Sequence, residues 1–511
     1  MAHDGLEATR ALLACTAGID AEQVKTITTH ISVVLLAGAT AFKLKRPVKL
    51  PYLDFSTPQK RLAACERELQ LNRRTAPSLY RTVRRVTRET DGRLALDGEG
   101  PLVDAMVEMT RFPEDGLFDR MAREGRLTPA LMTTLAQRIA TFHEGAEIDV
   151  RRSGAEAMAA VLAINAKGFA LTDRLPAGDV AALNAACAEA LARHGGLLDE
   201  RGRAGRIRRC HGDLHLRNIC LVAGEPTLFD ALEFDEDLAT TDVLYDLAFV
   251  LMDLWHRGLP GLANILLNRY LDETADEAGL GLLPFLMAVR AAVRAHVGAA
   301  QAGNCQDAGA SEEARSYLTL ALDCLSPRPA GLVAVGGLSG SGKSTVAEAV
   351  APIIGPVPGA RILGSDRLRK ARFGVPPQTR LPQKAYRPAM SEAVYAEQAQ
   401  RAAAILRRGH GVVADAVFDR PADRARIAQV ARAAAVPFQG LWLEAQAQTL
   451  IARVGARRGD PSDATAEVVR AQLNRAAAAP GWTQLSTEPD ADLVGRRARE
   501  IVGMTKEPDA D

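Results

Sequence analysis

Two short stretches of this chain carry residue types that could handle phosphate. His211-Gly-Asp213-Leu-His215-Leu-Arg-Asn218 places a carboxylate, two imidazoles and an amide on one polar loop. Ile219–Val222 then reads as a short strand, Ala223-Gly-Glu-Pro226 as a turn and Thr227–Asp230 as a returning strand. Antiparallel pairing brings the outer ends together, so Asn218 and Asp230 are expected as neighbours, with Asp213 just upstream. Phosphoryl transfer needs such a cluster: one carboxylate to orient the attacking hydroxyl, and oxygen ligands to hold Mg²⁺ on the phosphates.

The second stretch is Gly337-Leu-Ser-Gly340-Ser341-Gly342-Lys343-Ser344, a match to GxxxxGK[ST]. An apolar strand-like run precedes it, and a helix-forming run from Thr345 follows it. That is the context the motif requires. The glycines let backbone N–H groups curl around phosphate, and the helix N-terminus adds a favourable dipole. Lys343 is expected to pair with the β- and γ-phosphates and Ser344 to ligate Mg²⁺.

Both sites need elements to position them. Ile31–Leu36, Ala37-Gly-Ala and Thr40–Lys45 predict a hairpin, and alternation puts Lys43 and Lys45 on one face of its second strand. Either lysine could reach the phosphates of ATP. Thr57–Asn72 has helical spacing, and Glu68 on it could hold that lysine in place. Read one at a time, these charges are ordinary surface residues. Their order along the chain (lysine, glutamate, polar loop, Asn218, Asp230) is what raises them.

The first 100 or so residues read as strands plus one helix, with Leu102–Thr110 a further strand. Leu117 to Cys324 reads as mainly helical, interrupted between Arg206 and Phe234. Ser326-Pro-Arg-Pro-Ala-Gly331 marks the domain junction. Beyond it, the runs Leu332–Gly336, Val412–Ala414 and Phe438–Leu443 alternate with helices, which predicts a parallel α/β sheet.

The chain has 511 residues, enough for about two to four domains. Its 47% hydrophobic and 24% charged content is that of a soluble globular protein. A net charge of +1 gives no reason to expect nucleic acid or a membrane surface as partner. The seven cysteines are scattered, without a CxxC pair, which fits a reducing cytoplasm. No signal peptide is visible in the first residues, and the apolar runs are too short to span a bilayer.

The motif His211–Asn218 resembles the HGDLHxxN signature of the aminoglycoside phosphotransferase superfamily, over about residues 20–300. Thr28–Ser32, Ala41–Lys45, Leu53–Thr57, Glu68–Asn72 and Asp246-Leu-Ala-Phe resemble one subgroup. It is the phosphotransferase-like half of a two-domain bacterial family. The resemblance implies Asp213 as catalytic base, Asn218 as metal ligand and Lys43, in Ala41-Phe-Lys, as the phosphate-pairing lysine. The usual Asp-Phe-Gly metal loop is replaced by Asp230-Ala-Leu-Glu233, a variant similar to that of methylthioribose kinases. Asp230 is then a metal ligand and Glu233 a second. The glycine-rich nucleotide loop is missing, and His30–Ser32 would cap the phosphates instead. His211 is expected to pack behind the loop. His215 is ambiguous. Asp246 is either a plain helix carboxylate or, by the resemblance, the group that orders the catalytic loop.

In the second half, Ser365-Asp366-Arg-Leu-Arg369 resembles the Asp-x-x-Arg segment of polynucleotide kinases and zeta toxins. That implies Asp366 as the residue orienting an acceptor hydroxyl and Arg369 as a binder of acceptor or phosphate. Asp415 sits where a Walker B carboxylate would, although a strand-end turn aspartate reads the same. Arg453, Arg457 and Arg458 resemble lid arginines that close over ATP, and Asp460-Pro-Ser-Asp463 the end of that lid. An arginine on a solvent-facing helix reads the same for any one of them.

The expected fold combines α+β and α/β parts: a protein-kinase-like bilobal domain over 15–325, then a P-loop NTPase domain with a parallel sheet over 330–505. The expected function is transfer of the ATP γ-phosphoryl group, with Mg²⁺, to a hydroxyl of a small molecule, with a second kinase site on the P-loop half. Three alternatives remain open. The P-loop half could be a nucleotide sensor controlling its neighbour, the chain could phosphorylate a nucleotide or RNA end, or the first half could be a non-catalytic binding module. The identity of the acceptor and the oligomeric state are not legible.

Overall fold

The computed structural model describes residues 3–29, 31–50, 53–305, 308–457, 461–474, 479–488 and 490–504. The chain divides into two compact units, Met1–Lys167 with Leu191–Asp253, and Gly168–Ala190 with Leu254–Asp511.

The first unit is built on a six-stranded antiparallel sheet. Its order is Lys25–Thr28, Ser32–Ala37, Thr40–Lys45, Leu102–Thr110, Tyr80–Arg88 and Leu94–Leu96. The predicted hairpin is present, with Val34 opposite Lys43 and Ser32 opposite Lys45. Gly38 turns it at φ +59°, a conformation glycine adopts without a Cβ clash. Alternation splits the hairpin's side chains between two cores. Val33, Leu35, Phe42 and Leu44 pack with Leu13 and Ala14, whereas Leu36 and Ala41 pack with Cys65 and Val107.

Both sheet faces are therefore apolar, and each needs a cover. The expected helix, Pro58–Asn72, covers one; the Thr57 hydroxyl caps it by accepting from Lys60 N at 3.3 Å. The other is covered by a helix at His3–Ala17, which the reading of strands plus one helix lacks. The demand for that helix comes from the far face of a hairpin later in the chain, so local pattern does not reveal it.

Beyond the sheet the unit is mainly helical. The stretch from Arg206 to Phe234 contains the strand Ile207–Arg209, paired with Thr240–Asp242, and the hairpin Ile219–Val222 with Glu225–Leu228.

The second unit carries a five-stranded parallel sheet. Its order is Arg361–Gly364, Val412–Asp415, Leu332–Gly337, Phe438–Glu444 and Thr483–Ser486. The three central strands are the apolar runs read from sequence. The two edge strands lack that signal: one begins with an arginine, and the other buries only Leu485 of its four residues. The same unit includes the helices Pro260–Thr274, Leu283–Cys305 and Ala308–Leu325.

Among the described residues, one segment, Glu277–Ala302, is long and apolar enough to cross a membrane by length and composition. Of its most apolar window, 72% is buried inside the protein. Six cysteines, Cys15, Cys65, Cys187, Cys210, Cys220 and Cys324, are free thiols.

Candidate active sites

The loop around Asp213 is anchored by the helix Val243–His256. Asp246 in its first turn accepts from His211 N at 3.1 Å and Gly212 N at 2.8 Å, and lies 3.2 Å from His143 Nε2. Two turns later Asp253 accepts from Leu216 N at 3.0 Å. Asp246 is thus no plain helix carboxylate; it ties down the backbone that presents Asp213. Gly212 is required at this point. Its φ is +83°, and a Cβ would come within 2.9 Å of the Leu232 Cβ and 3.0 Å of the Ala239 Cβ.

His211 is fully buried, with Nε2 3.0 Å from the Phe229 carbonyl oxygen, and burial lowers its pKa. It packs behind the loop as a neutral ring. His215 holds Nε2 3.4 Å from Asp213 Oδ2 and sets its ring edge-on to Phe249. Asn218 Nδ2 donates to both the carbonyl oxygen and Oδ2 of Asp213, each at 2.9 Å. The hairpin closes as expected: Phe229 N donates to the Asn218 carbonyl oxygen at 3.0 Å, so Asp230 follows directly after the last paired residue. Asp230 has φ +62°, and its N–H donates to the Tyr80 hydroxyl at 3.1 Å. Tyr80 had no signal in the sequence.

Lys43 and Lys45 share one face and one carboxylate. Lys43 Nζ lies 2.9 Å from Glu68 Oε1 and also pairs with Asp230. Lys45 Nζ lies 2.6 Å from Glu68 Oε2 and also pairs with Glu233. Burial works against the charge on Lys43, but Asp230, Glu68 and Glu233 outweigh it and hold its pKa well above the ordinary lysine value. The two lysines differ in access: the Lys45 side chain is 0% exposed and that of Lys43 12%. Glu233, expected as a second metal ligand, has its Oε1 on Lys45, as Asp230 has its Oδ1 on Lys43. Of His30–Ser32, His30 lies outside the described residues, and Ser32 N donates to the Thr29 hydroxyl at 3.0 Å.

In the second unit the glycine-rich loop runs from the strand Leu332–Gly337 into the helix Lys343–Val350. Gly337, Gly340 and Gly342 have φ of +141°, +89° and +83°. At Gly340 a Cβ would sit 2.5 Å from the Leu450 carbonyl oxygen. The Ser341 hydroxyl is fully buried and has no protein hydrogen-bond partner. Lys343 Nζ rests on the Leu338 carbonyl oxygen at 3.1 Å. The Ser344 hydroxyl donates to Asp415 Oδ2 at 2.7 Å, so the two residues expected at the metal lie side by side. Burial pushes the Asp415 carboxyl above its usual range, while Lys343 and the Ser344 hydroxyl pull the other way. A curled backbone, a lysine and a hydroxyl–carboxylate pair are a donor set that fits a nucleotide phosphate and Mg²⁺.

A cavity of about 900 Å³ opens on this loop. Gly340, Gly342, Lys343, Ser344, Thr345, Asp366, Arg369, Asp415, Arg453 and Arg457 line it, whereas Gly337 and Ser341 of the same loop do not. Arg369 Nη1 donates to the Ala385 carbonyl oxygen at 2.7 Å, and its guanidinium lies 4.9 Å from the centre of the Tyr386 ring. Arg453 Nη2 donates to the Thr487 carbonyl oxygen at 2.6 Å. Arg458 and Asp460 lie outside the described residues. Asp463 ties the end of the expected lid to the Asp366 side, through Lys370 Nζ at 2.6 Å, Leu381 N at 2.9 Å and the Tyr386 hydroxyl. Gln472, whose Oε1 accepts from Ser339 N at 2.9 Å, and Arg420, on the cavity wall, had no motif to reveal them.

The Phosphotransferase enzyme family matches residues 42–283, and an AAA domain matches residues 332–479. The uncharacterized protein Rv2004c of Mycobacterium tuberculosis is 32% identical over 495 residues, covering 93% of each chain, and Mb2027c of Mycobacterium bovis matches to the same extent. Among solved structures, a choline kinase of Cryptosporidium parvum aligns at 9% identity over 63% of this chain and 94% of its own, with a TM-score of 0.41. A gluconokinase of Sinorhizobium meliloti aligns at 21% identity over 35% of this chain and 99% of its own, with a TM-score of 0.26. The chain is a kinase-type phosphotransferase that belongs to the same two-domain family as these mycobacterial proteins, with a phosphotransferase-family domain ahead of a P-loop AAA-type domain.

Proposed function

We propose that the chain is a bifunctional ATP-dependent kinase. The first unit phosphorylates a hydroxyl of a small molecule, and the P-loop site transfers phosphate to a second acceptor. The observation that carries this reading is the Lys43–Glu68–Asp230 cluster together with Asp213 and Asn218 on a pinned loop. Mg-ATP, when bound, would supply the γ-phosphoryl group, with the metal offsetting phosphate charge.

The protein groups then have distinct tasks. Asp213 takes the proton of the acceptor hydroxyl. Asn218 keeps the Asp213 carboxylate oriented and, with Asp230, offers oxygen to the metal. Lys43, steadied by Glu68, pairs with phosphate oxygens. In the second unit Lys343 and the loop N–H groups hold phosphate, Ser344 and Asp415 offer the metal oxygens, and Asp366 faces an acceptor.

An ATP-consumption screen over sugars, aminoglycosides and nucleosides tests the reading. It is run on the full chain and on its Asp213→Asn and Lys343→Ala variants. An acceptor whose turnover disappears with Asp213→Asn supports the first site, and one lost only with Lys343→Ala supports the second. Acceptor-dependent turnover that both variants retain would refute both assignments.

A further inference from the structure

The helix Pro260–Thr274 lies within the segment matched by the phosphotransferase family, yet its polar residues are used by the P-loop sheet. Arg361–Gly364 is an edge strand, paired on one side with Val412–Asp415. Edge strands leave backbone groups that need partners. Here asparagine side chains supply them. Asn268 Oδ1 accepts from Ile362 N at 2.7 Å, Asn268 Nδ2 donates to the Ala360 carbonyl oxygen at 3.1 Å, and Asn264 Nδ2 donates to the Pro358 carbonyl oxygen at 3.1 Å. Arg361, fully buried, pins the same helix. It lies 2.8 Å from Asp272 Oδ1 and 2.8 Å from Glu277 Oε1.

This docking delivers one more charge to the cavity. Arg269 Nη1 lies 2.8 Å from Asp272 Oδ2, and its Nη2 lies 2.7 Å from Glu348 Oε1. Asp272 Oδ2 also holds Arg367, the residue after Asp366, at 3.2 Å. Glu348 is four residues beyond Ser344 on the helix Lys343–Val350, so the two share a face. Arg269, Glu348, Ser344, Asp366 and Asp415 all line the cavity.

We propose that Arg269 sets the charge at the metal side of the P-loop site. Asp272 positions it, and it neutralises Glu348, so the site is incomplete without residues 260–277. The inference rests on the P-loop site binding Mg-nucleotide. Arg269 is a positioning residue: it acts through Glu348.

The test is a Mg²⁺ titration of a fluorescent ATP analogue on the full-length chain, reading the part of the signal that Lys343→Ala removes. Arg269→Gln leaves the Glu348 carboxylate unbalanced beside Ser344 and Asp415, so the Mg²⁺ midpoint should fall by about three- to tenfold. Glu348→Gln leaves the arginines unbalanced, so the midpoint should rise by a similar factor. The double variant should return close to wild type. Shifts in the same direction, or single variants within about twofold of wild type, would overturn the proposal and leave the helix a scaffold only. If Arg269→Gln fails to give a cooperative melt without nucleotide, Glu348→Gln, whose side chain is 32% exposed, decides the matter alone by its sign. Absence of any Lys343-dependent signal in the wild type would refute the P-loop reading itself, and the inference with it.

Discussion

In the first unit, Lys43 and Lys45 share Glu68 and each takes a further carboxylate, Asp230 or Glu233. In the second, Lys343 rests on a backbone carbonyl oxygen in a loop whose three glycines have positive φ. One candidate phosphate site is a cage of opposed side-chain charges. The other is a cradle of backbone N–H groups with one lysine over it. A cage depends on each charge keeping its partners, because a buried charge stripped of its partner is costly. A cradle depends first on backbone conformation. The two sites should therefore respond differently to the same kind of lesion.

The largest contrast is chemical. Asp213→Asn should lower acceptor-dependent turnover of the first site by about 10²-fold or more, the scale of a positioned acid–base group. Nucleotide binding through Lys343 should be unaffected. Lys343→Ala should do the reverse, abolishing P-loop nucleotide binding while Asp213-dependent turnover survives. Two nucleotide sites per chain should be seen by titration. Loss of both activities in a folded Lys343→Ala chain would collapse the contrast and favour a sensor that governs its neighbour.

Next comes stability inside the cage. Lys45→Met leaves Glu233 without its buried cation and Glu68 with Lys43 alone, and should cost about 3–5 kcal/mol, read by urea unfolding of the first unit. Lys43→Met, at the better-exposed lysine, should cost less and act mainly on the KM for ATP. Equal destabilisation by both would mean that Lys43 is as structural as Lys45.

A smaller effect concerns the acid tolerance of the second unit. In the second unit burial pushes His296 and His410 down to about 4. Between pH 6.5 and 4 the unfolded chain binds protons that these folded sites refuse, so stability is full above about 6.5 and falls as the pH drops. Each contributes a loss of about 3 kcal/mol by pH 4. His410→Gln should flatten the acid limb of the melting temperature of the second unit. An unchanged limb would show that carboxylates dominate it.

The smallest expected effect sharpens the metal assignment. Asp230→Ala should raise the Mg²⁺ concentration that half-saturates the first site. Glu233→Ala should act mostly through Lys45, lowering stability with a weaker Mg²⁺ shift. Equal Mg²⁺ shifts would return Glu233 to the metal.

Much of this was legible in the residues themselves. The hairpin, the helix with Glu68, the loop after His211 and the glycine-rich loop are local patterns. Strand alternation is enough to put Lys43 and Lys45 on one face, and antiparallel pairing is enough to place Asp230 beside Asn218. Strand alternation alone left Lys43 and Lys45 equivalent, and both do belong to the cluster: Glu68 has two oxygens and holds one lysine with each. The pairing of Glu233 with Lys45 was not legible, since it depends on how the segment after the hairpin folds back on the sheet. Tyr80 and Gln472 belong to no spacing rule, since their partners lie far away in sequence; Arg420 pairs locally with Asp423, and it is its place on the cavity wall that no spacing rule shows.

The sequence by itself determined the two motifs and the elements that carry them, since both motifs and their flanking strands and helices are short-range. Only the tertiary structure decided which charges neutralise which. It assigned Asp246 to the backbone before Asp213, covered the second sheet face with His3–Ala17, and gave the P-loop cavity an arginine from residue 269. The physical reason is common to all three. A buried charge, an apolar face or an edge strand must find a partner, but nothing in local periodicity specifies how far along the chain that partner lies.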